Sequence, residues 1–384
     1  MANRRQFLGA SLAGAATLGL SGPLSARLAR SGKAGKSGKA AKPMKILVLG
    51  GTGFLGPHFV EAASARGHVL TLFNRGKTNP GLFPDIEQLH GDRKLDLSAL
   101  QGREWDAVLD TSAYIPADVT RSAGLLAKSV GQYLIVSTVS VYARMDQPGA
   151  DEDAELATLA DPTVDKVSNE TYGGLKALSE KAAQAAMPDK VTVVRPGLIV
   201  GPGDNSDRFT YWPARFARGG EVLAPEGPQA PTQFIDARDL AAFLLRLLET
   251  RTFGVFNADA RPGALDMGKL MVACQRAAAT PATVTWASLE FLQTQKVSPW
   301  ADLPCWIPAQ GEEAGFGRTS VARAERAGLA WRPLDDTVRD TLAWWQGLPT
   351  ERRAKLRAGL SPEREAQVLA AWHAKDAAKD PAAT

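Results

Sequence analysis

A glycine-rich turn placed directly after a short apolar segment constrains the fold of this chain more than any other feature. The segment, residues 44–49, is apolar apart from one lysine and is followed by the turn GGTGFLG at residues 50–56. A short apolar run bounded by glycine is typical of a buried strand. Apolar side chains then recur at helical spacing over residues 59–63, and a second strand pattern occupies residues 68–73. Strand, glycine turn, helix and strand in this order predict a βαβ unit of a parallel sheet.

The positions of the glycines also predict a ligand. Glycine lacks a Cβ atom, so the backbone N–H groups of such a turn can approach a pyrophosphate at the N-terminus of the following helix. We therefore predict dinucleotide binding by Gly50, Gly53, Phe54, Leu55 and Gly56. A glycine-rich turn that holds no ligand is the alternative, and the strand and helix on either side argue against it.

The choice between NAD and NADP depends on the end of the second strand. About twenty residues past such a turn, NAD-binding units usually carry an acidic residue for the ribose 2′-hydroxyl. This chain has Asn74-Arg75-Gly76-Lys77 there instead. Arg75 and Lys77 either face a 2′-phosphate, which slightly favours NADP, or are solvated loop cations. Asp92, after a third apolar stretch, is predicted to face the adenine end.

A tyrosine and a lysine four residues apart, Tyr172 and Lys176, can supply proton transfer. On a helix the two side chains share a face. A tyrosine hydroxyl has an ordinary pKa of about 10, and a nearby ammonium group lowers that pKa by favouring the phenolate. The pair could then take a proton from a substrate hydroxyl or return one. Alone, this spacing usually marks an ordinary helix surface, but the hydroxyl-rich segment at residues 137–142 follows another strand pattern, at the edge where α/β sheets bind ligands.

These motifs together resemble a known family. The glycine turn, the segment Ser-Thr-Val-Ser-Val-Tyr at residues 137–142 and Tyr172-x-x-x-Lys176 occur in the order and spacing of extended short-chain dehydrogenase/reductases, the NAD-dependent epimerase/dehydratase family. The resemblance covers about residues 44–340. It implies an α/β fold of the Rossmann type, with a doubly wound parallel sheet and a smaller C-terminal substrate-side region.

The resemblance also implies roles for individual residues. Thr138 would hydrogen-bond the reacting oxygen, and Tyr172 would act as acid and base. Lys176 would tune Tyr172 and bind the nicotinamide ribose. Arg195 lies in a segment that resembles the family's strand beside the nicotinamide. A homodimer through the helices next to Tyr172 is the assembly that the resemblance suggests.

Two departures narrow the chemistry. Dehydratases of this family carry Asp-Glu directly after the catalytic threonine, whereas this chain has Val139 and Ser140, which disfavours elimination of water. The fourth strand pattern, residues 107–114, lacks the family's usual His-x-Ala-Ala ending, so contacts there should differ from the common arrangement. The expected reaction is hydride transfer at a secondary alcohol of a sugar or sugar-like substrate. Epimerase and oxidoreductase would use the same residues, and both remain open.

The N-terminus predicts export. Arg4 and Arg5 precede an uncharged stretch at residues 7–20 that is too short for a stable membrane anchor, which indicates a twin-arginine signal peptide over residues 1–29. A disordered arm is the alternative. Residues 30–43 are rich in Gly, Ala, Lys and Ser and predict a flexible linker. We expect a periplasmic or otherwise exported enzyme that uses the twin-arginine export machinery and, because free NAD(P) should be scarce there, binds its cofactor tightly.

The overall charge does not indicate a nucleic-acid partner. The chain has 45 basic and 41 acidic residues, but eight of the basic residues lie within residues 1–43 beside no acid. The remaining residues therefore carry 37 basic against 41 acidic side chains, a net charge of about −4. Some chloroplast relatives of the family bind RNA, so a non-catalytic binding protein on the same scaffold is the second hypothesis. The charge and the complete set of catalytic residues argue against it.

The chain is predicted to form three parts after the linker. Residues 44–200 form the dinucleotide-binding domain, residues 201–346 the substrate-side region with a strand returning to the sheet at residues 254–257, and residues 347–384 a helical tail. A polar substrate pocket is predicted from four residues of the segment after residue 200: Asp204, Arg208, Tyr211 and Trp212.

Tryptophans and cysteines in the substrate-side region have structural interpretations. Four tryptophans could stack on sugar rings, but they are more often core or lid residues, and that interpretation is favoured: Trp286, Trp300, Trp306 and Trp331. Cys274 lies in an apolar helical stretch and should pack as a small hydrophobe rather than pair with Cys305. The four histidines lack ligand spacing, so no metal site is predicted.

Overall fold

The computed structural model describes residues 42–379. The predicted signal peptide, residues 1–29, and nearly all of the predicted linker, residues 30–43, lie outside the described residues. The described part contains eleven strands: β1 (Lys45–Leu49), β2 (Val69–Asn74), β3 (Glu87–His90), β4 (Trp105–Asp110), β5 (Val130–Val136), β6 (Val191–Pro196), β7 (Leu198–Val200), β8 (Gly220–Pro225), β9 (Phe234–Asp236), β10 (Gly254–Ala258) and β11 (Ala282–Ala287).

The same part of the chain contains eleven α-helices: α1 (Leu55–Ala65), α2 (Pro116–Leu126), α3 (Tyr172–Ala186), α4 (Tyr211–Ala217), α5 (Ala237–Glu249), α6 (Met267–Ala278), α7 (Leu289–Thr294), α8 (Ala322–Arg326), α9 (Leu334–Gln346), α10 (Thr350–Arg353) and α11 (Pro362–Lys379). Within residues 42–379, no helix has the length and apolar character needed to cross a membrane.

Seven parallel strands form the central sheet, in the order β10-β6-β5-β4-β1-β2-β3. The chain runs outward from β1 through β2 to β3, then returns and builds the other half from β4. This reversal between β1 and β4 is the switch point of a doubly wound sheet. The Rossmann-type α/β fold predicted from the sequence is confirmed, and the strand expected near residues 254–257 joins β6 at the sheet edge.

Helices cover both faces of the sheet because its strands present apolar side chains alternately to the two sides. Ile46 and Val48 point into a core shared with α1 and α5. Leu47 and Leu49 point into the opposite core, shared with α2 and α3. The carboxyl ends of the strands meet at one edge of the sheet, and the loops that follow them build the site.

The substrate-side region has a core of its own, around the parallel pair β8–β11 and the helices α4 and α6. Tyr211 and Trp212 are fully buried in it, so their predicted place in a polar pocket is wrong. Trp300 and Trp306 are also buried there, which confirms the core interpretation for these two tryptophans. Trp286 and Trp331 are partly buried against the cores. Cys274 and Cys305 are buried free thiols, as expected, and burial raises the pKa of each.

Candidate active site

The glycine turn lies at the carboxyl edge of the sheet, at its switch point. Gly50 has a φ of +113° and packs against Thr111, which follows β4. Gly56 lies at the start of α1, where a Cβ atom would come within 2.5 Å of Gly51 Cα. Helix α1 can approach the turn this closely only with glycine at position 56. Ligands of open α/β sheets bind at this point of the fold.

The N-terminus of α1 fits an anionic ligand. No side chain caps it, and its first turn contains no acidic residue. Its backbone N–H groups and the positive end of the helix dipole are therefore available to a pyrophosphate. In the described part of the chain, no atom lies within 4 Å of where a Cβ atom at Gly53 would be, so the turn is open to solvent at that position. The turn thus fits the predicted dinucleotide.

The other residues predicted to contact the dinucleotide occupy different environments. Leu55 is buried in the core under α1, whereas Phe54 is half-buried and packs edge to face on His58, with 6.0 Å between ring centroids. Arg75 is exposed just past the end of β2. Asp92 is half-buried in the loop after β3, where its Oδ1 accepts a hydrogen bond from the Lys94 amide. Arg75 and Asp92 therefore lie at the same edge of the sheet as the turn.

Thr138 and Tyr172 come together at the end of β5. The Thr138 hydroxyl accepts a hydrogen bond from Ser140 N (3.1 Å) and donates one to Ser140 Oγ (3.2 Å). It also hydrogen-bonds the Tyr172 hydroxyl at the start of α3. A Cβ atom at Gly173 would lie 2.2 Å from Ser140 O, so α3 reaches this strand end only because residue 173 is glycine.

Lys176 is buried behind the tyrosine. Its Nζ donates hydrogen bonds to the backbone oxygens of Ala113 and Val136, each at 2.7 Å, and lies 5.2 Å from the ring centroid of Tyr114. Burial lowers the pKa of Lys176 from 10.5 to about 8, although Asp110 opposes the decrease. The lysine thus connects the loop after β4 and the end of β5 to the helix that carries Tyr172.

The electrostatics of Tyr172 differ from the sequence-based expectation. Burial raises its pKa above the ordinary value of 10, and neighbouring Tyr114 adds to the increase. The hydrogen bond with Thr138 and the charge of Arg208 act in the opposite direction. The predicted lowering by Lys176 is wrong for this structure: the pKa of Tyr172 is raised, and the ammonium group, which donates to two carbonyl oxygens, is not among the groups that shift it. Tyr172 is therefore a neutral phenol near pH 7.

Arg195 has a different role from the one predicted. It is 3% exposed, and its guanidinium forms an ion pair with Glu180 of α3 at 2.7 Å. The remaining nitrogen, Nη1, donates to the Tyr142 hydroxyl and to Glu152 O. All three guanidinium nitrogens are engaged inside the protein. Arg195 therefore has a structural role, fixing α3 against β6, in place of the predicted contact with the cofactor.

A buried polar cluster next to Lys176 was missed in the sequence. Arg93 donates to both carboxylate oxygens of Asp110, each at 2.9 Å, and the Tyr133 hydroxyl donates to the same carboxylate at 2.6 Å. Burial alone would raise the pKa of Asp110, but Arg93 and these hydrogen bonds hold it below its ordinary value. The signal available in the sequence was Asp110, an acidic residue at the end of an otherwise apolar strand. Its partner Arg93 lies on the loop after β3, and the pairing could not be predicted from sequence spacing.

The loop after β7 brings further polar residues to the site. It is anchored to α1 by the His58 Nε2–H group, which donates to Pro202 O at 2.8 Å. Asp204 is buried, and its two oxygens accept hydrogen bonds from Ser206 N and Oγ. Arg208 is half-buried and acts electrostatically on Tyr172. Of the four residues predicted to line a polar pocket, Arg208 thus acts on Tyr172, and the charge of Arg208 in turn acts on Asp204.

A comparison with known families agrees with this arrangement. The sequence profile described as "NAD dependent epimerase/dehydratase family" matches residues 46–258, more than half of the chain and all seven strands of the main sheet. The chain belongs to this family. It is therefore an enzyme of the extended short-chain dehydrogenase/reductase type with NAD or NADP as cofactor.

Two relatives and one solved structure show the range of the family. The chain is 31% identical to a 2-alkyl-3-oxoalkanoate reductase of Stenotrophomonas maltophilia over 52% of this chain and 64% of that protein, so it spans less than two thirds of this relative. It is 29% identical to chloroplast stem-loop binding protein of 41 kDa b of Arabidopsis thaliana, over 77% of this chain and 76% of that protein. The structure of UDP-glucuronic acid 4-epimerase from Bacillus cereus in complex with NAD superimposes with a TM-score of 0.58 at 15% identity, covering 78% of this chain and 98% of the epimerase.

Proposed function

We propose that this protein is an exported NAD(P)-dependent oxidoreductase or epimerase that acts on a secondary alcohol of a sugar or sugar-like substrate. The observation that carries the proposal is the meeting of Thr138 and Tyr172 at the carboxyl end of β5, with Lys176 buried behind them. Two hydroxyl groups at this place can hold one oxygen atom of a substrate and move its proton.

The proposal gives each of the three residues a role that its position supports. Thr138 hydrogen-bonds the reacting oxygen and orients it. Tyr172 transfers the proton: with its pKa raised it is protonated near pH 7, which suits donation to a carbonyl oxygen during reduction. Lys176 holds the two neighbouring loops through Ala113 and Val136, so the site keeps its shape. A bound nicotinamide supplies or accepts the hydride.

Dinucleotide binding is assigned to the turn at residues 50–56. Its uncapped helix N-terminus and the open position at Gly53 support this assignment. Arg75, exposed at the end of β2, supports NADP over NAD.

Hydride returned to the opposite face of a ketone would give epimerisation, whereas release of the ketone would give net oxidation. The predicted leader at residues 1–29 supports export, and tight retention of the cofactor follows from that compartment.

A second candidate function is a non-catalytic nucleic-acid-binding protein. It is supported by the Arabidopsis relative, which is named for stem-loop binding and matches 77% of this chain, compared with 52% for the Stenotrophomonas reductase. The net charge of about −4 over residues 44–384 opposes it. Salt-sensitive binding of RNA by the chain without its leader, together with no binding of NAD(P), would favour this candidate over the enzyme.

The test begins with the cofactor. Mass spectrometry of the purified native protein should detect bound NAD or NADP, and titration of the stripped protein should show which of the two binds more tightly. The holoenzyme is then screened with sugars, sugar acids, sugar nucleotides and simple secondary alcohols for a change in nicotinamide absorbance or for an epimer. A protein with no bound dinucleotide and no NAD(P) affinity would refute the proposal.

A further inference from the structure

Arg208 occupies an unusual position next to the catalytic tyrosine. It lies half-buried in the loop between β7 and α4, and its Nε donates to Ser206 Oγ at 3.0 Å. Its guanidinium lies over the ring of Trp300, 5.6 Å from the ring centroid. Among residues 42–379, no carboxylate comes within 4.0 Å of it, and its terminal nitrogens, Nη1 and Nη2, have no hydrogen-bond acceptor. Two strong donors of a charged group are thus available to a ligand.

Trp300 provides a second, independent observation. The side chain is 4% exposed, yet its Nε1–H group has no acceptor among the described residues. A buried donor without an acceptor costs about 1–3 kcal/mol, so such groups are rare and call for a physical explanation. Trp300 also has a φ of +64°, a backbone conformation that is strained for a bulky residue. A ligand atom that accepts from the indole would satisfy this donor.

The charge around these residues is favourable for an anion. The nearby carboxylate that influences Arg208 is Asp204, whose two oxygens are already occupied by Ser206. Arg208 offers donors only, and its planar fork matches the oxygens of a carboxylate or a phosphate. A neutral hydroxyl group would use one donor and leave the charge without a partner.

We propose that Arg208 and Trp300 form an oxyanion-binding subsite, and that the substrate carries a carboxylate or phosphate group close to the carbon that reacts at Tyr172. The subsite rests on the proposed function, because the reaction at Tyr172 defines where the substrate lies. In this proposal the anionic group held by Arg208 and Trp300 belongs to the same substrate whose oxygen reacts at Tyr172, the residue on which the charge of Arg208 acts. The subsite thus selects the substrate and fixes its orientation.

The test is isothermal titration of the NAD(P)-loaded enzyme with four probes: inorganic phosphate, D-glucuronate, D-glucose 6-phosphate and D-glucose. The first three carry an oxyanion and the last does not, and glucuronate and glucose 6-phosphate separate a carboxylate from a phosphate source. The variants are Arg208→Gln, Arg208→Lys and Trp300→Phe. Arg326→Gln is the matched control, since Arg326 is an exposed arginine of α8.

At least one anionic probe should bind the wild type, and D-glucose should bind about tenfold more weakly or not at all, as expected for loss of a charge-assisted hydrogen bond. Arg208→Gln should weaken the anionic probe by about tenfold or more, Arg208→Lys should restore part of the affinity, and Arg326→Gln should change nothing. Trp300→Phe should weaken binding of the anionic probe several-fold. The subsite is refuted if no anionic probe binds, or if Arg208→Gln binds as the wild type does. NAD(P) affinity measured on the same preparations separates this result from failure of the proposed function.

Discussion

Replacing either of two glycines of the turn by alanine should change the stability of the protein, but in opposite directions. In Gly56→Ala the new Cβ would lie 2.5 Å from Gly51 Cα and 2.8 Å from Gly51 O, so the backbone must move. Overpacking of this kind costs about 1–3 kcal/mol, which the higher helix propensity of alanine offsets by about 1 kcal/mol. In Gly53→Ala the Cβ meets no described atom within 4 Å, and φ at Gly53 is not positive. Reduced freedom of the unfolded chain should then stabilise the protein by up to about 1 kcal/mol.

Both variants should nevertheless lose dinucleotide affinity. At position 53 the methyl group would occupy the open space that a pyrophosphate needs next to the backbone, and at position 56 the turn itself is distorted. We expect dissociation constants for NAD(P) about tenfold higher or more in each case. Thermal unfolding of the stripped proteins and NAD(P) titration by intrinsic fluorescence measure the two effects separately. Gly56→Ala should melt lower by a few degrees, whereas Gly53→Ala should melt at or above the wild type.

The decisive variant is Gly53→Ala. If it bound NAD(P) with wild-type affinity while Tyr172 remained functional, the turn would not contact the pyrophosphate. If instead it melted several degrees lower, the open space at Gly53 would be wrong and a loss of affinity could be attributed to unfolding. Gly102→Ala would be a poor control because φ at Gly102 is positive, but Gly124→Ala, also with an open Cβ position, is suitable.

Three further predictions follow from the site and the leader. Tyr172→Phe should retain NAD(P) affinity but lose about 10²–10⁴-fold in kcat on an identified substrate, since only proton transfer is removed; full turnover would exclude its acid–base role. Burial lowers the pKa of Lys176 from 10.5 to about 8 in the folded protein. Between pH 8 and 10.5 the unfolded chain therefore binds more protons than the folded protein does. The free energy of unfolding should then rise with pH, by about 3 kcal/mol over this range. Urea denaturation of Lys176→Met should lack this rise; the same slope in both proteins would contradict the burial of the ammonium charge. Residues 1–43 fused to a folded reporter should direct export that is lost when Arg4 and Arg5 are both changed to lysine, and export that survives would exclude the twin-arginine pathway.

Local sequence patterns were sufficient for the main sheet and for part of the site. The alternation of strand and helix patterns up to residue 200 predicted the Rossmann-type fold because each βαβ unit is determined by nearby residues. Thr138, Tyr172 and Lys176 were chosen because each lies in a short motif, and their catalytic roles stay predictions; the structure brings Thr138 and Tyr172 together and buries Lys176. The Arg93–Asp110 pair could not be found in this way, since one member lies on the loop after β3, the other ends β4, and the two meet only in the folded sheet.

Two errors have physical causes of the same kind. Arg195 was assigned to the cofactor from the strand it occupies, but the direction of its side chain depends on Glu180 of a separate helix. The pKa of Tyr172 was expected to fall because Lys176 is one helical turn away. Sequence spacing does not reveal that two carbonyl oxygens, one on the loop after β4 and one at the end of β5, accept hydrogen bonds from that ammonium group.

The position of β10 has a consequence for biosynthesis. Strand β6 is complete at residue 196, but its outer edge pairs only with residues 254–258, and the helix that covers the adjacent sheet face ends at residue 249. During translation, a ribosome must therefore add about sixty residues while a strand edge and an apolar face remain open, and such surfaces promote aggregation. A nascent chain stalled within this interval should bind chaperones strongly, and release should coincide with emergence of β10 from the ribosomal tunnel.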